Sequence, residues 1–356
     1  MIYLDHNATT PIRPDAQDAL VSALTEVGNA SSVHAAGRRA RGVVEAARRD
    51  VAALCGVEAK QVIFTSGATE ANNTVLRTYQ GPVFASAIEH PSVIEATDAQ
   101  IIPVSKNGIV DLAALERMLE HTNRALVSVM WVNNETGVIQ PVEDIAALCR
   151  RAGALFHCDA VQAAGRVPVS MVADYLTLSA HKIGGPQGVG ALVVAPKAPP
   201  VRLIYGGGQE RRQRAGTENV AGIAGFGAAA RDALAGLAGF AALASWRNAI
   251  ESALAGIHVF GTGAPRVANT SCFALRGVNA DTQLMALDLA GICVSSGSAC
   301  SSGSVKPSHV LAAMGADSAL SACALRVSLG WTTTQAEIDA FIAAWQKLAA
   351  QWVRAA

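Results

Sequence analysis

The sequence predicts an α/β protein with a large, mainly parallel sheet followed by a smaller α+β domain. From about residue 15 to 200, short runs rich in Val, Ile and Leu alternate with longer segments of helical spacing, which is typical of strands joined by crossover helices. The 356 residues exceed the usual size of one hydrophobic core, and 51% of them are hydrophobic. We therefore expect a globular chain with two domains.

The predicted elements follow this alternation in order. In the first part of the chain we expect helices in the gaps between strands at 61–65, 83–86, 101–104, 125–132, 154–158, 175–178 and 190–194. An Ala- and Gly-rich stretch, 220–256, predicts long helices leading out of this body. Beyond it, we expect strands at 257–260, 270–275, 292–295 and 325–329 and a last helix at 335–353. The predicted large domain covers 15–250, and the small domain combines 1–14 with 251–356.

Charge and cysteine usage exclude several classes of protein. Lys plus Arg equals Asp plus Glu at 28 each, so no overall field favours nucleic acid or a membrane surface. The first residues lack a basic segment followed by an apolar run, and no stretch reaches the roughly 18 apolar residues of a membrane span. The 7 cysteines are scattered, without a CxxC pair, which favours reduced thiols. We expect a cytoplasmic protein.

Lys182 ends the run Tyr175-Leu-Thr-Leu-Ser-Ala-His-Lys and precedes a glycine-rich segment, 184–190. Ligand-binding residues of open α/β sheets lie beyond the carboxyl ends of the strands, so this lysine is expected at a ligand edge. A lysine after a strand is most often a solvated surface residue. An amine that forms a Schiff base needs a partly desolvated position of this kind next to an aldehyde.

Asp159 directly follows another predicted strand, with Gln162 one helical turn further on. The acid could simply cap a helix. It could also face the ring nitrogen of pyridoxal phosphate and keep that nitrogen protonated, which the cofactor needs in order to act as an electron sink. Gln162 could then donate to the hydroxyl of the ring.

A third strand end gives Thr65-Ser-Gly-Ala-Thr-Glu-Ala-Asn72, where free amides at a helix start and the Thr69 hydroxyl could hold a phosphate. An ordinary capping box explains the same residues equally well. A fourth strand end places His90 where its imidazole could stack on a ring and move protons, and the run 133–137 supplies the amide of Asn134.

Together these residues resemble the cysteine desulfurases, pyridoxal-phosphate enzymes of the class V aminotransferase-like family. The resemblance spans nearly the whole chain, through motifs at 3–11, 29–34, 65–72, 89–90, 132–137, 159–162, 179–182 and 206–210. It implies fold type I of the pyridoxal-phosphate-dependent transferases and a homodimer. It also implies that L-cysteine is converted to L-alanine while the sulfur passes to a cysteine of the enzyme.

The resemblance assigns roles to the candidate residues. Lys182 would carry the cofactor covalently and Asp159 would pair with its ring nitrogen. Gln162 and Asn134 would lie at the ring edge and His90 on its face. The phosphate would be held by Ala68, Thr69, Ser179 and His181, and by Thr217 of a second subunit.

Cys300 lies in Ser295-Ser-Gly-Ser-Ala-Cys-Ser-Ser-Gly-Ser304, a composition typical of a mobile loop. By resemblance it belongs to the flexible-loop group of desulfurases and receives the sulfur as a persulfide, whereas we expect Cys55, Cys149, Cys272 and Cys323 to be small buried residues. The acceptor would be an iron–sulfur scaffold or another sulfur-acceptor protein. No resident metal is expected, and Cys300 is a candidate only for a transient iron–sulfur ligand shared with a scaffold.

Arg326 lies in a predicted strand of the small domain. Its guanidinium suits the α-carboxylate of the substrate, as the resemblance implies, and the alternative is a structural ion pair.

Other functions stay open at this point. A selenocysteine lyase or another class V enzyme would share Lys182 and Asp159, and a non-catalytic sulfur-transfer partner could keep the fold. Nucleotide binding at 184–190 is disfavoured because the glycines follow the lysine and do not open a strand-to-helix turn. Two residues depart from the family pattern, Gln187 where a basic residue is common and Arg212 where a glycine is usual.

Overall fold

A computed structural model describes residues 1–122, 124–296 and 308–355. Its strands are β1 (Ile2–Tyr3), β2 (Val62–Thr65), β3 (Val83–Ser86), β4 (Gln100–Ile102), β5 (Leu126–Ser128), β6 (Leu155–Asp159), β7 (Tyr175–Ser179), β8 (Gly190–Val194), β9 (Ile257–Val259), β10 (Thr270–Leu275), β11 (Ile292–Cys293), β12 (Ser295–Ser296) and β13 (Ala324–Ser328). Its α-helices are α1 (Pro14–Thr25), α2 (Ala35–Leu54), α3 (Ala68–Thr78), α4 (Pro91–Ile94), α5 (Leu112–Glu120), α6 (Val142–Ala152), α7 (Val220–Ala235), α8 (Leu237–Ala253), α9 (Ala280–Leu289), α10 (His309–Ala313), α11 (Ser318–Ser321) and α12 (Gln335–Ala355).

The largest sheet has seven strands in the order β2-β8-β7-β6-β5-β3-β4. The pairs from β7 to β4 are parallel, while β8 is antiparallel to both β7 and β2. Every strand except β8 therefore runs in one direction, so the carboxyl ends of β2, β3, β6 and β7 meet at one edge. This confirms the mainly parallel sheet, and it brings together the strand ends that carry the candidate residues.

The hairpin from β7 to β8 also shapes this edge. Gly190, the first residue of β8, lies so near the turn after β2 that a Cβ on it would be 2.8 Å from the Gly67 Cα. Only a glycine lets the turn and the strand come this close.

The second sheet, in the order β12-β13-β10-β9, is antiparallel and belongs to the predicted small domain. α12 covers it through an apolar stripe in which Ile338, Phe341 and Trp345 are almost fully buried, as helical spacing requires. Trp345 meets Phe273 of β10 edge to face, with ring centroids 6.1 Å apart.

Two hydrophobic clusters accompany the two sheets. One draws its buried members mainly from residues between 16 and 233, and the other joins Leu4 to residues between 243 and 345. The domain limits proposed from the sequence stay a prediction.

Several predicted bounds need correction. The strand expected at 125–132 keeps only Leu126–Ser128, and the predicted strand at 292–295 is divided into β11 and β12. The stretch 220–256 forms α7 and α8, which are bent by 67°. β1, which pairs in parallel with β11, was not predicted, because two residues give no periodic pattern.

No single helix of the described ranges is long and apolar enough to cross a membrane. Only the bent pair of α7 and α8 meets that length and composition when taken together.

Candidate active site

A cavity of about 530 Å³ opens at the carboxyl edge of the large sheet. This volume lies within the range of small-molecule sites, roughly 300–1,000 Å³. Its wall includes most of the candidate residues, together with several that the sequence did not indicate: Asn7, Ala8, Ser66, Gly67, Ala68, Thr69, Glu70, His90, Ser92, Met130, Val132, Asn134, Asp159, Val161, Gln162, Ser179, His181, Lys182, Gln187, Gly188 and Arg326.

Lys182 ends a short 3₁₀ turn between β7 and β8. Its amine donates hydrogen bonds to the main-chain oxygens of Asn7, at 2.6 Å, and Ala8, at 2.8 Å. The Asn7 side chain is held by Arg166 Nη1, at 2.5 Å, and Asn269 Nδ2, at 3.1 Å. A buried polar network therefore fixes the amine inside the cavity wall.

Asp159 is the last residue of β6 and is buried. Oδ1 accepts from the main-chain amide of Val161 at 3.0 Å, and Oδ2 accepts from Asn72 Nδ2 at 2.9 Å. Asn72 is wholly buried in α3 and was not among the predicted site residues. It lies one helical turn after Ala68, so the spacing within the 65–72 motif could have placed it on the same face.

The amino end of α3 points its first-turn amides at one end of the cavity, next to Ala68 and Thr69. Within the described residues no side chain caps these amides, which leaves them available to an anion. The capping box that the sequence left open is incomplete, because the N-cap is Gly67 and has no side chain. Glu70 accepts from the Ser66 amide and pairs with Arg214.

Ser179 and His181 lie on the wall of the same cavity. His181 Nδ1 is 3.2 Å from Thr9 Oγ1. Burial, with help from the charges of Lys182 and Arg166, lowers the pKa of His181 to about 4. Its ring is therefore neutral at neutral pH.

His90 caps α4, and its Nδ1 accepts from the Ser92 main-chain amide at 3.1 Å. The Ser92 hydroxyl is 2.8 Å from the same nitrogen. Burial lowers the pKa of His90, the charges of Lys182 and His309 act in the same direction, and Asp159 opposes them.

Gln162 and Asn134 occupy the side of the cavity near the amino-terminal segment. Gln162 Nε2 donates to the Asn7 main-chain oxygen at 3.0 Å, while its Oε1 is buried without a partner among the described residues. The Asn134 main-chain oxygen accepts from Asn7 Nδ2 at 3.0 Å and from Arg326 Nη1 at 3.1 Å.

Arg326 comes from β13 and is almost fully buried. Nη2 forms an ion pair with Asp5 Oδ1 at 2.7 Å, and Nε has no partner in the described part of the chain. The structural ion pair that the sequence left open is therefore present, and the same side chain lines the cavity.

Thr217 lies apart from this wall. It lines a smaller neighbouring cavity, whose wall shares Ser66 and Gly188 with the main one. Cys300 lies outside the described residues. Cys55, Cys149, Cys272 and Cys323 are buried, as expected.

The residues present fit pyridoxal phosphate. The cavity combines an amine for a Schiff base, a carboxylate for a ring nitrogen and an uncapped helix start for a phosphate. The buried and unpaired Gln162 Oε1 is a further polar group that a ligand would satisfy. No group of three or more His, Cys, Asp or Glu in the described segments is placed to hold a metal ion.

The comparisons agree with this site. The model of the aminotransferase class-V family matches residues 2–341, so the chain belongs to that family. Enzymes of this family, including its cysteine desulfurases, depend on pyridoxal phosphate.

Among curated proteins, the chain is similar to a cysteine desulfurase of Cereibacter sphaeroides, with 44% identity over 95% of this chain and 93% of the relative. It is also similar to an IscS-like cysteine desulfurase of Mycobacterium tuberculosis, with 38% identity over 96% and 94% of the two chains. The predicted resemblance to cysteine desulfurases is thereby confirmed.

Among solved structures, a NifS-like protein from Rickettsia africae superimposes with a TM-score of 0.91 at 35% identity, covering 98% of this chain and 99% of the other. A structure described as SspA in complex with cysteine gives a TM-score of 0.81 at 27% identity, over 92% and 99% of the chains. These neighbours confirm the predicted fold class.

Proposed function

We propose that this chain is a pyridoxal-phosphate-dependent cysteine desulfurase that converts L-cysteine to L-alanine and receives the sulfur on Cys300 as a persulfide. The observation that carries the proposal is the meeting of the Lys182 amine and the Asp159 carboxylate in one cavity of suitable size. The named relatives support the same activity. The neighbour solved with cysteine supports the substrate.

Each group of the chain has a defined task in this proposal. Bound pyridoxal phosphate would supply an electron sink for the bonds at the α- and β-carbons of cysteine. The α3 amides, Ser179 and His181 would hold the phosphate, and Asp159 would keep the ring nitrogen protonated. The Lys182 amine would accept the α-proton of the substrate, and His90 would donate or accept protons next to it.

Arg326 binds the substrate carboxylate. Its guanidinium is held on one side by Asp5 and the Asn134 oxygen, which fixes the plane of the fork. A guanidinium that is already held in place loses less conformational entropy when it donates to a carboxylate.

The sulfur step is balanced without an added reagent. The Cys300 thiolate attacks the substrate sulfur, a sulfur–sulfur bond forms, and the carbon–sulfur bond of the substrate breaks. The electron pair of the broken bond stays with the β-carbon, which takes up a proton, and the α-carbon regains the proton that Lys182 removed. The products are one persulfide and one L-alanine.

The described residues on either side of 297–307 are anchored to the body of the protein, on one side by Arg326 of the cavity wall. Ser295 of β12 pairs with Arg326, and Ser308 donates to the buried Glu135 Oε2 at 2.6 Å. Cys300, four residues after Ser296, lies outside the described residues.

We further propose a cytoplasmic homodimer that passes its sulfur to an acceptor protein such as an iron–sulfur scaffold. Thr217 would complete the phosphate site of the partner subunit, which suits its place outside the main cavity of its own chain. Sedimentation velocity tests the dimer. Mixing a Thr217→Ala subunit with a Lys182→Ala subunit tests the shared site. If Thr217 serves the partner's phosphate site, one active site of the mixed dimer carries both substitutions and the other carries neither, so that second site should bind the cofactor normally.

The substitution Cys300→Ala tests the sulfur step. We expect sulfide release from L-cysteine with a reductant to fall to background, while the absorbance of the bound cofactor stays, because the thiol is not needed to hold it. Cys293→Ala is the matched control, since Cys293 is a half-buried thiol in the same region. Retained sulfide release in Cys300→Ala would refute the assignment.

A selenocysteine lyase is the second candidate. It would release selenium from selenocysteine and leave L-cysteine largely unchanged under the same conditions. Comparing kcat/KM for the two substrates distinguishes the candidates, and we expect efficient turnover of L-cysteine.

A further inference from the structure

A buried hydrogen-bonded chain joins Asp159 to His90. Asn72 Nδ2 donates to Asp159 Oδ2 and to Ser92 Oγ, both at 2.9 Å. Ser92 Oγ is in turn 2.8 Å from His90 Nδ1. Asn72 ends the 65–72 motif but was given no role from the sequence, and neither was Ser92.

Every hydrogen bond in this series has a defined donor and acceptor. The Ser92 main-chain amide donates to His90 Nδ1, so that nitrogen offers a lone pair and carries no proton. The Ser92 hydroxyl must then also donate to Nδ1, and its oxygen accepts from Asn72. If the Asn72 amide were flipped, its oxygen would face the Asp159 carboxylate and the two acceptors would repel each other. The amide nitrogen therefore lies on the Asp159 side.

We infer that Asn72 and Ser92 are positioning residues that tie His90 to Asp159 and hold the imidazole as the tautomer with its proton on Nε2. The inference rests on the proposed function only for the roles given to Asp159 and His90. In this tautomer Nε2 can donate to an atom of the substrate that carries negative charge. A second proton can enter only at Nδ1, where it would displace both Ser92 donors.

The surrounding charges support a neutral ring. Burial is the largest influence and lowers the pKa of His90, and the nearby Lys182 and His309 charges lower it too. Asp159 and Glu95 raise it, and the neighbouring Glu89 is a buried acid whose pKa burial raises to about 8. The net effect, a lowered His90 pKa, agrees with the neutral ring that the hydrogen bonds at Nδ1 indicate.

The test is long-range ¹H–¹⁵N NMR on holoenzyme labelled at histidine, with the His90 signals assigned by His90→Gln. We expect the wild-type spectrum to show a protonated Nε2 and a bare Nδ1. A protonated Nδ1 in the wild type would overturn the inference without any variant, while L-cysteine turnover, measured separately, would still report on the proposed function.

Ser92→Ala removes one donor that favours the neutral ring, so we expect the His90 pKa to rise by up to about one unit. Ser92→Thr keeps the hydroxyl and should restore the wild-type His90 pKa.

Asn72→Ala should speed cofactor dissociation several-fold, because Asp159 loses a hydrogen-bond donor. The rate is measured as loss of the cofactor absorbance after dilution.

Asn73→Ala is the matched control. Asn73 lies on the same helix, and its Nδ2 donates to the main-chain oxygens of Ser92, at 3.2 Å, and Thr69, at 2.9 Å. We expect it to leave the tautomer, the His90 pKa and cofactor dissociation unchanged. Equal effects in Asn73→Ala and Ser92→Ala would contradict the proposed positioning role.

Discussion

The two sides of the active-site cavity are held together in different ways. On the side of the large sheet, Asp159 and His90 follow strand ends and are joined through Asn72 and Ser92. On the opposite side, Arg326 is held by Asp5, a residue 321 positions away in the chain. The first side follows from parallel strands that end at one edge, whereas the second requires distant parts of the chain to meet.

This difference separates two tasks. The sheet side carries the groups that suit the cofactor, and the side formed by residues 5, 134 and 326 carries the groups that suit the substrate. Changes on the sheet side should therefore alter cofactor binding, and changes on the other side should alter substrate affinity or stability.

The largest effect is expected for Lys182→Ala, which removes the amine on the sheet side. Turnover of L-cysteine should fall to background and the absorbance of covalently held cofactor should disappear, because no other amine is placed to replace it in the described part of the cavity wall. Absorbance spectra and alanine formation measure both results. Lys197→Ala, at an exposed lysine, should change neither, and cofactor absorbance that survived in Lys182→Ala would break the comparison.

An intermediate effect is expected for Arg326→Ala on the substrate side. Loss of a charge-assisted contact to the carboxylate should raise KM for L-cysteine about 10- to 100-fold, with cofactor content unchanged. Steady-state kinetics and absorbance check both parts. Arg326→Lys should recover little, since an ammonium cannot replace the fork.

Arg266→Ala is the matched control for that experiment. Arg266 makes a half-buried two-point ion pair with Glu251, at 2.7 and 2.9 Å, in the predicted small domain. Its loss should lower the melting temperature and leave KM unchanged. If Arg326→Ala behaved in the same way, the pair with Asp5 would be the whole role of Arg326.

The smallest effect concerns Glu135, the partner of Ser308. Burial raises the pKa of Glu135 to about 7, above its ordinary value of 4.5. The stability contributed by the protonated acid is thus fully present below pH 4.5 and is lost as pH rises through about 7. Glu135→Gln cannot ionise, so its melting temperature relative to wild type should increase over this window, by an amount on the order of 2 °C.

Thermal unfolding across the pH range measures this difference. Glu120→Gln changes an exposed acid, and its melting temperature should keep a constant offset from wild type. A constant offset for Glu135→Gln as well would mean that Glu135 has the same pKa in the folded and unfolded chains, which would contradict the raised pKa.

The sequence was sufficient for the parts of the site that follow strand ends. Lys182, Asp159 and His90 were predicted because a residue type and the end of an apolar run occur together in one short segment. Asn72 and Ser92 were missed because their roles depend on a contact between two helices that begin after different strands. The Asp5 partner of Arg326 could not be predicted, since no local pattern connects residues so far apart.

The fold shows the same limit. Apolar runs located the central strands to within a few residues, while the prediction for 125–132 was too long. The regular strand ends at Ser128, but the main-chain amides of Val129 and Trp131 still donate to the His157 and Asp159 oxygens of β6. The buried apolar run therefore continues past the end of the strand, and sequence pattern alone does not locate that end.

The place of residues 2–8 has a consequence for synthesis. This short segment pairs with β11, and its Asp5 binds Arg326. The main-chain oxygens of Asn7 and Ala8 accept hydrogen bonds from the Lys182 amine. A ribosome must therefore deliver residue 326 before residue 5 can find its ionic partner. When synthesis has only reached the end of the large sheet, the residues that suit the cofactor are present, but Arg326, which suits the substrate, has not yet been made.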